Sequence, residues 1–199
     1  MSRFNFAGLL GAAFLCLAAI PAHAVQLKVS RAAIERTLER QLFTGPNGRY
    51  YLKGSPVTPC SIYVDNPRMT FTADRILVQV KTHARIGTAV HGVCIGISLS
   101  PLSQVSVAPA GEGETIGFQD ARVERASDQK ELNFLLMPFL SHQIPGSMTV
   151  NAADLLRKAL ADSAATSGYK VSLDRLKIHS VQIEGDNIVV DVDGDLSVQ

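Results

Sequence analysis

Apolar and polar residues alternate with a period of two along most of this chain, and twice the alternation gives way to helical spacing. The cleanest alternation lies between Arg75 and Ile86, where Ile76, Val78, Val80, Ala84 and Ile86 share one parity with Thr82 while Gln79, Lys81, His83 and Arg85 take the other. Successive side chains on a strand point to opposite faces, so this predicts a strand with one dry face. Val93, Ile95, Ile97 and Leu99 repeat the pattern after the His91-Gly92 turn, with Cys94, Gly96, Ser98 and Ser100 opposite. Pro101 interrupts that strand or puts it at an edge, and Val105 and Val107 resume its parity. Cys60, Ile62 and Val64 mark an earlier strand, whose apolar face resumes at Met69 and Phe71 beyond an Asp65-Asn66-Pro67 break. Ile116 and Phe118 carry one parity and Ala121 and Val123 the other, which predicts a β-bulge or shift at Asp120 and a bend in the sheet. After Tyr169 the spacing is again that of strands, and Gly185-Asp186-Asn187 predicts a tight hairpin. In the last strand Ile188, Val190 and Val192 are expected to face inward, and Val189, Asp191, Asp193 and Asp195 outward.

Helical spacing appears first from Arg31 to Phe43, where Ile34, Leu38 and Leu42 recur every fourth residue behind a capping Ser30. It returns between Leu132 and Leu160. Leu132, Leu135, Leu136, Phe139 and Leu140 form a stripe that Phe134 and Met137 widen beyond the need of a surface helix. Pro138 predicts a kink or a later start of the helix, and Ile144-Pro145-Gly146 an end. A second helix is expected from Asn151 and Asp154, with Leu155, Leu156, Ala159 and Leu160 on one face and Gly168 as its stop. The predicted fold class is α+β: a highly curved antiparallel sheet wrapped around a long or kinked helix, with an N-terminal helix packed on it.

Residues 1–24 read differently from the rest. Arg3 is their one charge, an apolar run spans Phe6 to Ile20, and Ala22-His23-Ala24 suits signal-peptidase cleavage after Ala24. The run falls short of the roughly 20 apolar residues of a membrane span. A signal peptide over 1–24 and a single domain over 25–199, located in the periplasm, are therefore expected. Cys16 follows Leu15 rather than the small residue that a lipidation signal wants, so it is assigned to the signal. Cys60 and Cys94 then form an even pair in an oxidising compartment and are expected to be bridged. With Arg3 set aside, basic and acidic residues balance, and the chain has no Trp. That composition lacks the electrostatic footprint of a nucleic-acid binder.

The chemistry-bearing residues form no catalytic pattern. His83, His91, His142 and His179 stand in no zinc spacing and beside no nucleophile motif. Asp191, Asp193 and Asp195 around Gly194 have the start of a calcium loop but not the glutamate that closes one, and alternate strand positions are roughly 7 Å apart. Glycines 111, 113 and 117 precede a strand rather than a helix, and Ser98 and Ser100 lack a strand-turn-helix elbow. Neither an enzyme nor a cofactor or metal is expected.

What is left is apolar surplus. It reads either as ordinary core or as a groove between kinked helix and curved sheet for an elongated apolar ligand. The residues that would line such a groove are Leu38, Ile95, Ile97, Leu132, Leu135, Leu136, Phe139, Leu140, Leu156 and Leu160. The order of elements, with SRAAIERTLERQLF, TIGFQDARVERAS, LLMPFL and the closing VQIEGDNIVVDV, resembles the YceB-like family of bacterial envelope lipoproteins, and through it the tubular lipid-binding superfamily. The resemblance implies a long helix cradled by a curved sheet, an interior that accepts lipid, and no catalytic residues. The missing lipidation signal and the added Cys60 and Cys94 depart from that pattern and favour a soluble periplasmic form. The expected partner is a lipid or other apolar small molecule, with peripheral membrane contact in prospect. The alternative is an envelope interaction or assembly scaffold with a protein partner and no ligand.

Overall fold

The computed structural model describes residues 25–167 and 169–198. The signal peptide expected over residues 1–24, with Cys16, and the helix stop expected at Gly168 lie outside the described residues. The fold is α+β, with two antiparallel sheets. The larger is curled into a half-barrel and has seven strands in the order β2 (Tyr50–Lys53), β3 (Ile62–Phe71), β4 (Ile76–Val90), β6 (Leu102–Glu112), β7 (Thr115–Arg125) and β8 (Val150–Asn151), with β5 (Val93–Leu99) paired to β4 alone. The smaller joins β1 (Val25–Ser30), β10 (Asn187–Val198) and β9 (Val171–Glu184).

The alternation expected on β4 is seen: Ile76, Val78, Val80, Thr82 and Ala84 are buried, and the residues between them are not. Thr82 meets Ser103 on β6, hydroxyl to hydroxyl at 3.2 Å, so a buried polar pair satisfies itself inside the sheet. The bend at Asp120 is present too. Ser106 faces Arg122 and Ala108 faces Gln119, leaving Asp120 and Ala121 opposite the single residue Val107, and Asp120 has φ +51°. The short polar side chain of an aspartate tolerates this left-handed conformation better than most. Arg75 clamps the bulge: its guanidinium donates to the Asp120 carboxylate at 2.9 Å and to the Ser106 hydroxyl and carbonyl at 2.9 and 3.0 Å. Asp65-Asn66-Pro67 is a bulge inside one continuous strand rather than a break, with Asn66 at φ +51° and the register shifting between Asp65 and Arg68.

Helix α1 spans Arg31–Gln41, with Ile34 and Leu38 buried. The second helical region departs from expectation at its prolines. Helix α2 (Lys130–Pro138) continues through Pro138 into a π-turn (Phe139–Gln143) and then α3 (Ile144–Ser147). Proline lacks an N–H and crowds the carbonyl one turn back, and irregular turns follow it here: Phe139 N–H donates to the Leu136 carbonyl, three residues back, before the π-turn opens. The wide turn is marked by Ile144 N–H donating to the carbonyl of Phe139, five residues back, and by the Ser141 hydroxyl donating to Met137 O at 2.7 Å. Pro145 stands at the start of α3, where a missing N–H costs little. The chain therefore leaves the helix only after Ser147. Asn151 then accepts from Asp154 N–H at 2.9 Å and opens α4 (Ala152–Ser167).

One cluster of buried side chains unites Ile34 and Leu38 of α1, the inner faces of β3, β4 and β6, and Leu132, Leu136, Phe139, Leu140, Ile144 and Met148 of the second helical region. Tyr50 stacks on Phe139 with ring centroids 5.1 Å apart. On β10 the expected outward Val189 is buried as well as Ile188, Val190 and Val192. It belongs to no part of the main cluster, so the strand is covered on both faces there.

Candidate functional site

The residues expected to line a groove fall into three groups. Leu38, Leu132, Leu136, Phe139 and Leu140 are interlocked in the main core and inaccessible to solvent or nearly so. Leu135, Leu156 and Leu160 are half-buried and pack against that core from its margin. Ile95 and Ile97 are elsewhere. They sit on β5, 62% and 52% exposed, so their expected inward orientation is corrected.

The reason lies in the pairing of β4. Its first half, Ile76 to Lys81, is flanked by β3 on one side and β6 on the other; from Ala84 onward its partner is β5. Pairing with β3 ends at Ile62 opposite Ala84, and Arg85 N–H donates to the Ser61 carbonyl at 2.9 Å as a last contact. Beyond that point a two-stranded ribbon leaves the sheet, closed by His91 and Gly92, both at positive φ as a tight hairpin turn requires.

The inward parity of β4 runs on into this ribbon unchanged. Ile86 opposes Ile97, Thr88 opposes Ile95 and Val90 opposes Val93. Ile86 and Leu99 still pack against the core, but Thr88, Val90, Val93, Ile95 and Ile97 are exposed. The opposite face carries Gly87, Ala89, Cys94, Gly96 and Ser98. Gly87 faces Gly96, and a Cβ on either would collide with the backbone carbonyl of Ile95 or Ile86. From Ile86 to Ile97 the ribbon has no charged side chain, and Thr88 and His91 are its polar ones besides Cys94.

A disulfide ties this ribbon down. Cys94 is bonded to Cys60 with Cα atoms 5.0 Å apart, as the sequence predicted. Cys60 belongs to the loop between β2 and β3, which carries the exposed Val57 and follows Lys53. The bond thus joins the β2–β3 loop to the ribbon.

Five clefts among the described residues mix polar and apolar lining, and none of the five includes Ile95 or Ile97. Two of them are each about 600 Å³. One is bounded by Glu39, Asn47, Asp65, Lys81 and His83, and there the His83 ring stacks on Tyr63 at 4.8 Å and its Nε2 lies 3.2 Å from Asp65. Arg49 also lies over the Tyr63 ring, 4.4 Å from its centroid, and the hydrogen bond with Tyr51 holds its guanidinium above its ordinary pKa. The second is bounded by Ser100, Leu102, Arg125 and Asp128. None of the five described clefts includes Leu132, Leu135, Leu136, Phe139 or Leu140. The aspartates of the last strand are separately engaged: Asp191 by Gln26 and Ser180, Asp193 by His179, Asp195 by Arg175. No group of three His, Cys, Asp or Glu side chains able to hold a metal occurs among the described residues.

Compared with family models, curated proteins and solved structures, the chain matches none. The apolarity of the ribbon was written in the sequence, as a charge-free stretch around a His-Gly turn. Periodicity shows that a strand has an apolar face, but not whether anything covers it.

Proposed function

We propose that this protein is a non-enzymatic component of the bacterial envelope, exported to the periplasm, that acts through its surface as an interaction scaffold. The observation that carries this is the location of the apolar surplus. Side chains that would have walled an internal groove pack against one another, whereas a disulfide-anchored ribbon presents its apolar face outward. The disulfide accords with an oxidising compartment.

A lipid held between the Leu132–Met148 helical stretch and a sheet wrapped around it, as in the tubular lipid-binding superfamily, is the second reading. It draws on Leu135, Leu156 and Leu160, which are half-exposed at the margin of the core. Occupancy would require the helix to move off the sheet. Native mass spectrometry of protein released from the periplasm, followed by organic extraction, separates the two. The scaffold reading expects the mass of the bare chain starting at Val25, and one co-purifying lipid per chain would overturn it in favour of the second.

A further inference from the structure

We infer that the outer face of the larger sheet is a docking surface for a linear phosphodiester polymer, held through its phosphates by a row of arginine and lysine side chains. This rests on the reading of the protein as an envelope component that acts by its surface, and it names the chemistry of the partner.

Balance of charge over the whole chain conceals where the free cations stand. The β4 residues between the buried ones face outward, and the strand register carries that face across the sheet. Lys81, His83 and Arg85 lie on β4 itself. Arg68 on β3 is opposite Gln79, and Arg125 on β7 is opposite Gln104, which is opposite Gln79 in turn. Arg49 joins them over the ring of Tyr63, the residue opposite His83. Arg68, Lys81, Arg85 and Arg125 are exposed, and neither they nor Arg49 make an ion pair among the described residues. The carboxylates of the same face are already engaged: Asp65 by His83, Asp120 by Arg75 and Arg122, and Glu124 by the Ser106 hydroxyl. Glu39 and Asp128 share clefts with Lys81 and Arg125. The face keeps a surplus of positive charge, and such a surface selects an anionic partner.

Spacing and shape select the polymer. Arg68 beside Gln79, then Lys81, His83 and Arg85, mark every second residue along β4, a repeat of about 7 Å. Successive phosphates of an extended phosphodiester chain recur at a similar distance. Three of the four exposed cations are arginines, whose planar fork takes two phosphate oxygens at once. Because the half-barrel holds the core on its inner side, its outer side is convex. A flat bilayer would touch that surface along one strip, whereas a flexible chain can follow it. Beyond Arg85 the face continues as Gly87, Ala89, Gly96 and Ser98, with no carboxylate to repel the chain. The rings of Tyr63 and His83 stack on each other under Arg49, so the surface holds the polymer by its backbone and not by stacking on bases.

The test uses the mature, oxidised chain and a labelled oligodeoxythymidylate, against an abasic phosphodiester of the same length, with binding read by fluorescence polarisation. Both are expected to bind alike, with log K falling against log salt at a slope of about −3, for four phosphates contacted. Lys81→Gln or Arg85→Gln should each weaken binding by about fivefold at about 0.1 M salt and flatten the slope by about 0.7. Lys158→Gln, which removes the same charge from helix α4, should change neither. Equal losses from Lys158→Gln and Lys81→Gln, a preference for the oligonucleotide over the abasic chain, or no binding by a folded and oxidised chain overturns the proposal. So does tighter binding to heparin or to phosphatidylglycerol vesicles that Lys81→Gln weakens. A protein captured through Ile95 and Ile97 without any binding of the phosphodiester overturns it too, and leaves the scaffold reading standing. Phosphodiester binding by a chain that also retains one lipid inside would count against the scaffold reading alone.

Discussion

Between Ile76 and Ala84 the inward residues of β4 lie beneath the core, whereas from Thr88 onward residues of the same parity on the same strand are exposed. The composition hardly changes along the strand; the neighbours do. The proximal half has a strand on each side and helical side chains over its face, and the distal half has one partner and no cover over Val90. One alternation can thus serve burial at one end and recognition at the other. The two halves should respond to substitution in opposite ways.

The largest difference is expected from a carboxylate placed on each half. Val78→Asp would bury an unpaired charge among Ile76, Val80 and Val105, and should cost on the order of 4 kcal/mol or more, leaving little folded protein. Ile95→Asp places the same group in water and should move the urea midpoint by less than about 0.5 kcal/mol equivalents. Comparable losses at the two positions would mean that the distal face is covered after all.

Next in size is the disulfide. It links residues 34 apart, and its removal as Cys60→Ser with Cys94→Ser should lower stability by about 3 kcal/mol in the chain-entropy model. Because it reaches the ribbon rather than the core, amide exchange should rise most between Val93 and Leu99. An unchanged urea midpoint on reduction would show that the loop is restrained by other contacts. A smaller effect is expected at the Gly87–Gly96 pair. Gly96→Ala sets a methyl group against the Ile86 carbonyl, and should cost about 1 to 3 kcal/mol if the ribbon is as closely paired as it stands. A neutral substitution would show that the ribbon untwists freely.

Much of the architecture was legible in the residues. The parity of Ile76 through Ala84, the Cys60–Cys94 pair and the change of parity around Asp120 are local signals, and each was realised. What stayed hidden depends on long-range neighbours. Ile95 and Ile97 have the spacing of Val78 and Val80, and only the end of β3 at Ile62 decides that they are bare. Val189 looked outward by parity, yet it is buried, which the local pattern does not signal. At Pro138 a kink or a later start was expected, and the helix runs through the proline into a π-turn, with Phe139 and Leu140 in the core. The candidate site was therefore half visible: its apolarity could be read, but its exposure could not.

The smallest expected effect concerns what bends the proximal sheet. Hydrogen bonds from Arg122 and then Arg75 hold the Asp120 carboxyl below its ordinary pKa of about 4. A carboxyl depressed in the folded state binds its proton more weakly there than in the unfolded chain, so its stabilisation is fully present above the ordinary carboxylate range. It is lost as pH falls through the depressed folded value. Asp120→Asn should therefore leave the melting temperature near neutrality only slightly lowered and should flatten part of its decline in acid. Because Asp120 lies at the bulge beside Arg75, at the start of β4's buried half, the same substitution should leave amide exchange in the distal ribbon unchanged. A parallel rise in exchange between Thr88 and Ile97 would mean that the ribbon is held by the bend at Asp120, and that the two halves of β4 are mechanically one.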